Sequence, residues 1–146
     1  MLHERKTMDY NKEVVMKKQI PLATLAVFIT WSVMDYLIHG VLLSSIYQQT
    51  ASLWRPMAEM KPVLMWVVTA IAALCMVAVY ALFFKQKNLK NGVLYGLLLG
   101  IGWGASMGFG SYVYMPIPYT LAQAWFWGTL AESLAAGAVI GLLVKD

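Results

Sequence analysis

Three ionisable side chains lie within otherwise apolar stretches of this 146-residue chain: Asp35, His39 and Glu132. If these stretches cross a membrane, a charged side chain there costs roughly 2.5–3.5 kcal/mol on insertion scales, so it faces the protein interior and has a partner. Asp35 and His39 are four residues apart and therefore share one face of a helix. Two interpretations stay open. In the first, Asp35 and Glu132 pass on a proton or a cation, and His39 titrates near neutral pH. In the second, Asp35 and His39 form a local hydrogen bond, and Glu132 holds another helix through a polar contact.

Other chemistry finds little support in the sequence. The same three side chains are possible metal ligands, but the chain has no H-E-x-x-H pattern and no second histidine in an apolar stretch, so we expect no metal site and no cofactor. Residues 104–108 match the G-x-S-x-G nucleophile pattern, yet no strand precedes them, and we interpret Ser106 as a small packing residue. The lone Cys75 is predicted to be a small buried apolar residue. With no recognisable nucleophile–base pair, the sequence leans against an enzyme.

The elements that must position these residues are membrane helices. The chain is 60% hydrophobic and only 12% charged, far from the composition of a soluble domain. An all-α, polytopic membrane protein is predicted, with transmembrane helices at about residues 20–46, 62–84, 92–114 and 119–144. Residues 1–19 are predicted to be a cytoplasmic tail or a surface helix, and residues 20–146 the transmembrane domain. The connection at residues 48–61 forms either a short interfacial helix or an irregular loop.

Positive charges predict the orientation of the four spans. Nine of the eleven lysines and arginines fall on one side if the spans alternate, the exceptions being Arg55 and Lys61. Because positive charge is retained in the cytoplasm, both termini are expected to face inward. The net charge of +4 sits at the ends of apolar runs, which indicates contact with a lipid bilayer rather than with nucleic acid.

A ladder of glycines predicts how the last two spans pack. Its members are spaced four residues apart: Gly92, Gly96, Gly100, Gly104 and Gly108. In lipid, such small residues let helix backbones approach closely. The last span has a similar stripe of Thr129, Ser133, Gly137 and Gly141, which favours a tight hairpin of the third and fourth spans. Self-association between subunits and a narrow pore are the alternatives. A spacing of four overshoots each helical turn by about 40°, so the partner must cross at an angle, or two partners must follow in succession.

The first and last spans share a weak internal repeat. A shift of 97 residues places Asp35 on Glu132 and Gly40 on Gly137 without a gap. The two helices would run in opposite directions, as in an inverted repeat. Such a repeat would place the two acids at comparable depths in the membrane.

Two further patterns carry a resemblance. They are W-x-x-x-D-x-x-x-H-G at residues 31–40 and Y-x-x-T-x-x-L-W-R-P at residues 47–56. Together they resemble small bacterial four-span membrane proteins of unassigned function, which implies an inner-membrane location.

The sequence favours a non-enzymatic component that packs into a membrane assembly or a homo-oligomer. The alternative is a small proton- or ion-coupled transporter or channel that uses the three ionisable residues.

The orientation can be tested with reporter fusions. A reporter fused after Lys87 or at the C-terminus should read as cytoplasmic, and one fused after Gln49 should read as external, because the positive charges favour that alternation. A cytoplasmic readout at Gln49 would contradict the predicted topology.

Overall fold

The computed structural model describes residues 2–145, including their side chains from residue 18 onward. Four of its helices are long and apolar enough to cross a membrane, which confirms the predicted all-α, four-span fold. In chain order the elements are α1 (Leu2–Asp35), a first π-helical segment (Tyr36–Leu42), α2 (Ser44–Gln49), α3 (Pro62–Phe83), α4 (Leu89–Gly104), a second π-helical segment (Ala105–Gly110), α5 (Ser111–Tyr114) and α6 (Tyr119–Leu143).

The ends of these helices follow from local sequence. Pro62 opens α3, at a position where its missing N–H costs little. Asn88 caps α4, its side chain accepting a hydrogen bond from the Asn91 N–H at 2.9 Å. Helix α1 runs without a break from Leu2 through Pro21 into the first span, and the cytoplasmic location of residues 1–19 stays a prediction.

The long connection before α3 is irregular rather than one interfacial helix. After α2 it contains only two single 3₁₀ turns, Ala51–Leu53 and Met57–Glu59. Trp54 lies between these turns and packs with Leu53 onto a small apolar cluster around Leu121. The Trp54 indole also donates a hydrogen bond to Thr50 Oγ1 at 2.9 Å.

The two ends of the bundle differ. We call the end that contains Gln19 and Lys145 the terminal side; there the Lys145 N–H donates to Gln19 Oε1 at 3.3 Å. We call the opposite end, formed by residues 43–61 and 115–118, the connection side. In between, α1 packs against both α3 and α6, and α6 packs against α4.

Aromatic rings join α3 to α4 at the terminal side only. The Phe84 ring centroid lies 4.6 Å from that of Tyr80 and 5.2 Å from that of Tyr95. The Tyr95 hydroxyl also donates to the Met76 carbonyl oxygen at 3.1 Å. Toward the connection side, residues 62–68 of α3 are all exposed. The bundle is therefore closed at the terminal side and less tightly packed around α3 at the connection side.

The glycine ladder faces the backbone of α6 along its whole length. A Cβ atom added at any of its five glycines would meet α6 backbone atoms, in ladder order those of Gly137, Ser133, Leu130, Phe126 and Ala122. The α6 glycines Gly137 and Gly141 are equally constrained by α4. The hairpin thus packs at backbone contact, although Leu130 rather than Thr129 lies opposite Gly100.

The second π segment helps the last glycine of the ladder to face the same partner helix as the first four. The second π segment contains Gly108, the last glycine of the ladder. Hydrogen bonds from i to i+5 wrap more residues into each turn than an α-helix does. A step of four residues there falls short of a full turn instead of overshooting it, which returns Gly108 toward α6.

Two expectations about small residues are wrong. Cys75 is exposed, since the buried face of α3 carries its neighbours Met76 and Val77. Ser106 is also exposed. It lies midway between two ladder glycines, and a displacement of two residues turns a side chain to the opposite face of the helix.

Glycine replacements on α4 test the packing with a matched pair. Gly96→Ala should lower the free energy of unfolding by about 1–3 kcal/mol, because the new Cβ would overlap the Ser133 carbonyl oxygen. Gly102→Ala is the control, since no atom lies within 4 Å of a Cβ placed there. Reversible unfolding in detergent measures both. Equal tolerance of the two alanines would mean that the hairpin does not depend on backbone contact.

Candidate functional site

Asp35 and His39 lie where α1 passes into the first π segment. The Leu43 N–H donates to the Ile38 carbonyl oxygen at 2.9 Å, five residues back, which marks the wide turn. Such single π turns inside helices occur frequently at functional sites. Here the turn leaves His39 Nε2 3.8 Å from Asp35 Oδ1, within the range of an ion pair.

A hydrogen-bonded chain continues from His39 to α6. His39 Nδ1 lies 2.6 Å from the Tyr47 hydroxyl oxygen, and that oxygen lies 2.8 Å from Trp125 Nε1. The indole can only donate, so the Tyr47 oxygen accepts from Trp125. We assign the Tyr47 proton to His39 Nδ1, which places the proton of the neutral imidazole on Nε2, on the side of Asp35.

Tyr47 keeps its proton because the site is sheltered from solvent. It lies just beyond the first span, and burial raises the pKa of its hydroxyl above the ordinary value of 10.0. The Trp54 ring from the long connection packs edge-on against it at 5.5 Å and lies 6.0 Å from the Trp125 ring. These rings shield the donor chain at the connection side.

Glu132 brings a second carboxyl group to Asp35. The two carboxyl groups interact with each other across the α1–α6 interface. In the same interface the Trp31 indole donates to the Glu132 main-chain oxygen at 3.0 Å, which fixes the two helices in register. Glu132 Oε1 is buried and has no hydrogen-bond partner among the described side chains. An acceptor left in this state costs free energy until a proton or a donor reaches it.

No basic residue compensates the two acids within the membrane. The sequence has no lysine or arginine at residues 19–54, 62–84 or 91–144. His39 is the single histidine in these stretches, and its Nδ1 is already engaged by Tyr47. Within the part of the chain that the structure describes, no three His, Cys, Asp or Glu side chains converge as a metal site would require. The charge of this acid pair can therefore be balanced by a proton or by a cation that is not part of the chain.

A cavity of about 590 Å³ adjoins Asp35, whereas Glu132 is not among its lining residues. It lies between the first π segment and the connection-side part of α3, and its lining residues are Ser32, Asp35, Tyr36, His39, Gly40, Met65, Trp66 and Thr69. The side chains of Asp35 and His39 are 42% and 40% exposed. Toward the terminal side the buried residues Val27, Trp31 and Met76 belong to the main apolar core. The site thus lies between a cavity on the connection side and the apolar core on the terminal side.

The structure brings together all three of the ionisable residues singled out in the sequence. It leaves the ladder glycines, Ser133, Gly137 and Gly141 outside the site, at the α4–α6 contact. Sequence reasoning missed the roles of Tyr47 and Trp125, which are separated by 78 residues and carry no spacing signal. The internal repeat and the comparable depths that it implies for the two acids stay predictions.

Comparison with protein-family models, with curated proteins and with solved structures finds no match for this chain.

The donor chain predicts the tautomer of His39. In a His3→Gln background, which leaves one histidine, ¹⁵N NMR should show Nδ1 unprotonated and Nε2 protonated, because Tyr47 donates to Nδ1. Tyr47→Phe should remove this preference and lower the free energy of unfolding by about 1–3 kcal/mol, since Trp125 loses its acceptor. Tyr114→Phe, at an exposed position, is the control. A proton on Nδ1 in the parent protein would contradict the assigned direction of the chain.

Proposed function

We infer that this protein is a small proton- or cation-coupled transporter of the bacterial inner membrane. The observation that carries the proposal is the contact between Asp35 and Glu132, two acids on different spans with no basic counter-charge beside them. The sequence by itself favours an assembly component. The cavity beside Asp35, together with the interaction of Asp35 with Glu132, favours transport instead.

The chemistry of a carboxyl pair supports coupling. Two carboxylates that share a site in a low-dielectric setting cannot both ionise without a large repulsion, so the pair holds a proton between them. A cation that binds between the carboxyl groups replaces that proton. Proton release and cation binding then become one exchange reaction, which is the minimal requirement of an antiporter.

Access to the pair differs between the two sides of the bundle. If both termini lie in the cytoplasm, the cavity lies in the periplasmic half of the bundle, and the apolar core separates it from the cytoplasm. Transport then needs a second state in which this core opens. The less tightly packed α3 is the element that would move, because α4 and α6 are locked at backbone contact.

Flux measurements test the proposal. Proteoliposomes with the parent protein should take up protons faster than empty vesicles under a pH or cation gradient. Asp35→Asn and Glu132→Gln should each lower the flux at least tenfold, because an amide cannot carry a proton into the exchange. Glu59→Gln is the matched control: it makes the same chemical change at an exposed position of the long connection. Parent vesicles that are no leakier than empty ones under every gradient would overturn the proposal.

An assembly role is the second candidate. The exposed apolar residues at the connection-side end of α3 leave room for it, since helix faces of this kind pack against lipid or against a neighbouring subunit. Native mass spectrometry from detergent gives the oligomeric state. A stable oligomer without flux would favour assembly, whereas a monomer with flux would exclude an obligate assembly role.

A further inference from the structure

We propose that the cavity and the groove beside it bind an amphiphilic organic cation, with its charged end at Asp35 and its apolar body between α1 and α3. This proposal rests on the proposed exchange at the acid pair and names the class of substrate that exchanges with the proton. It derives from two adjoining cavities that share one residue, Trp66; the first contains a carboxyl group, and the second is almost wholly apolar.

The first cavity has the features of a site for an organic cation. Its one carboxyl group is that of Asp35, and no lysine or arginine lines it. The rings of Tyr36 and Trp66 also line it, and an ammonium or phosphonium group is attracted to such faces by about 0.5–2 kcal/mol per ring. Its volume of about 590 Å³ lies within the range of sites that hold drug-sized molecules.

The second cavity supplies an apolar compartment. It is a groove of about 630 Å³ between α1 and α3, lined by Ile20, Pro21, Thr24, Leu25, Phe28, Val63, Trp66, Val67, Ala70 and Leu74. The one hydroxyl group in this lining, on Thr24, donates to the Ile20 carbonyl oxygen at 2.8 Å and so stays within its own helix. The groove therefore favours hydrocarbon or aromatic groups over polar ones.

Together the two cavities select for charge as well as for shape. An anionic amphiphile, such as a phospholipid with a net negative headgroup, would bring its charge against Asp35 and Glu132. A neutral apolar molecule would fill the groove but leave the acid pair without a counter-charge. A molecule with a positive end and an apolar body satisfies both compartments, and it can reach the groove directly from the lipid.

Two probes of nearly identical shape and opposite charge test the proposal on the full chain in detergent. Tetraphenylphosphonium should bind saturably by equilibrium dialysis, and tetraphenylborate should neither bind at the site nor compete. Asp35→Asn should weaken phosphonium binding at least tenfold, and Trp66→Leu severalfold. Trp127→Leu, which removes an exposed indole from α6, should bind as the parent does.

Several results would overturn the proposal: phosphonium binding that Asp35→Asn leaves unchanged, equal binding of the borate, or no saturable phosphonium binding. If Asp35→Asn fails to fold, the Trp66→Leu and Trp127→Leu pair decides, because both replace a partly exposed tryptophan by leucine. Proton flux without phosphonium binding would reject the substrate class and leave the coupled exchange standing. Phosphonium binding without flux would support the site and reject coupled transport.

Discussion

The contact between two carboxyl groups in an apolar bundle is the constraint on which the rest of the structure depends. Asp35 and Glu132 interact across the α1–α6 interface. Residues 19–54, 62–84 and 91–144 contain no lysine or arginine that could neutralise them. A charge of this kind is expensive in lipid, so the bundle has to hold the pair in a fixed place and give it a proton or a cation. The one-sided cavity and the aromatic shield over Tyr47 are arranged around that requirement.

Helix α6 links this site to the stable part of the fold. Its neighbouring residues Glu132 and Ser133 face different helices, the acid toward α1 and the serine toward the glycines of α4. Backbone contact along the α4–α6 hairpin leaves little freedom for Glu132 to move. The partner side, α1 with its π segment and the open end of α3, is packed less tightly. A hairpin that fixes one acid beside a less tightly packed pair of helices, one of which carries the other acid, is a workable basis for an exchange between two states.

The sequence predicted the parts of the fold that depend on composition and regular spacing. The length of the apolar stretches predicted the four spans, and the spacing of the glycines predicted a close hairpin of the last two spans. The geometry around His39 was not predictable, because its partners Tyr47 and Trp125 meet only after α2 and α6 have packed. The π segments also leave no clear mark in the sequence. Cys75 was placed on the wrong face because an all-apolar helix in lipid has no periodic pattern that separates its buried side from its lipid side.

The most direct test of the shared site is an infrared titration of the carboxyl groups in lipid, with the double variant Asp35→Asn, Glu132→Gln as the baseline. Two acids in contact should lose their protons in coupled steps that belong to the pair, so removal of either acid should change the titration of the other. The account predicts this mutual change, together with the disappearance of the signal in the double variant. Two independent titrations, each unaltered by the loss of the other acid, would contradict it.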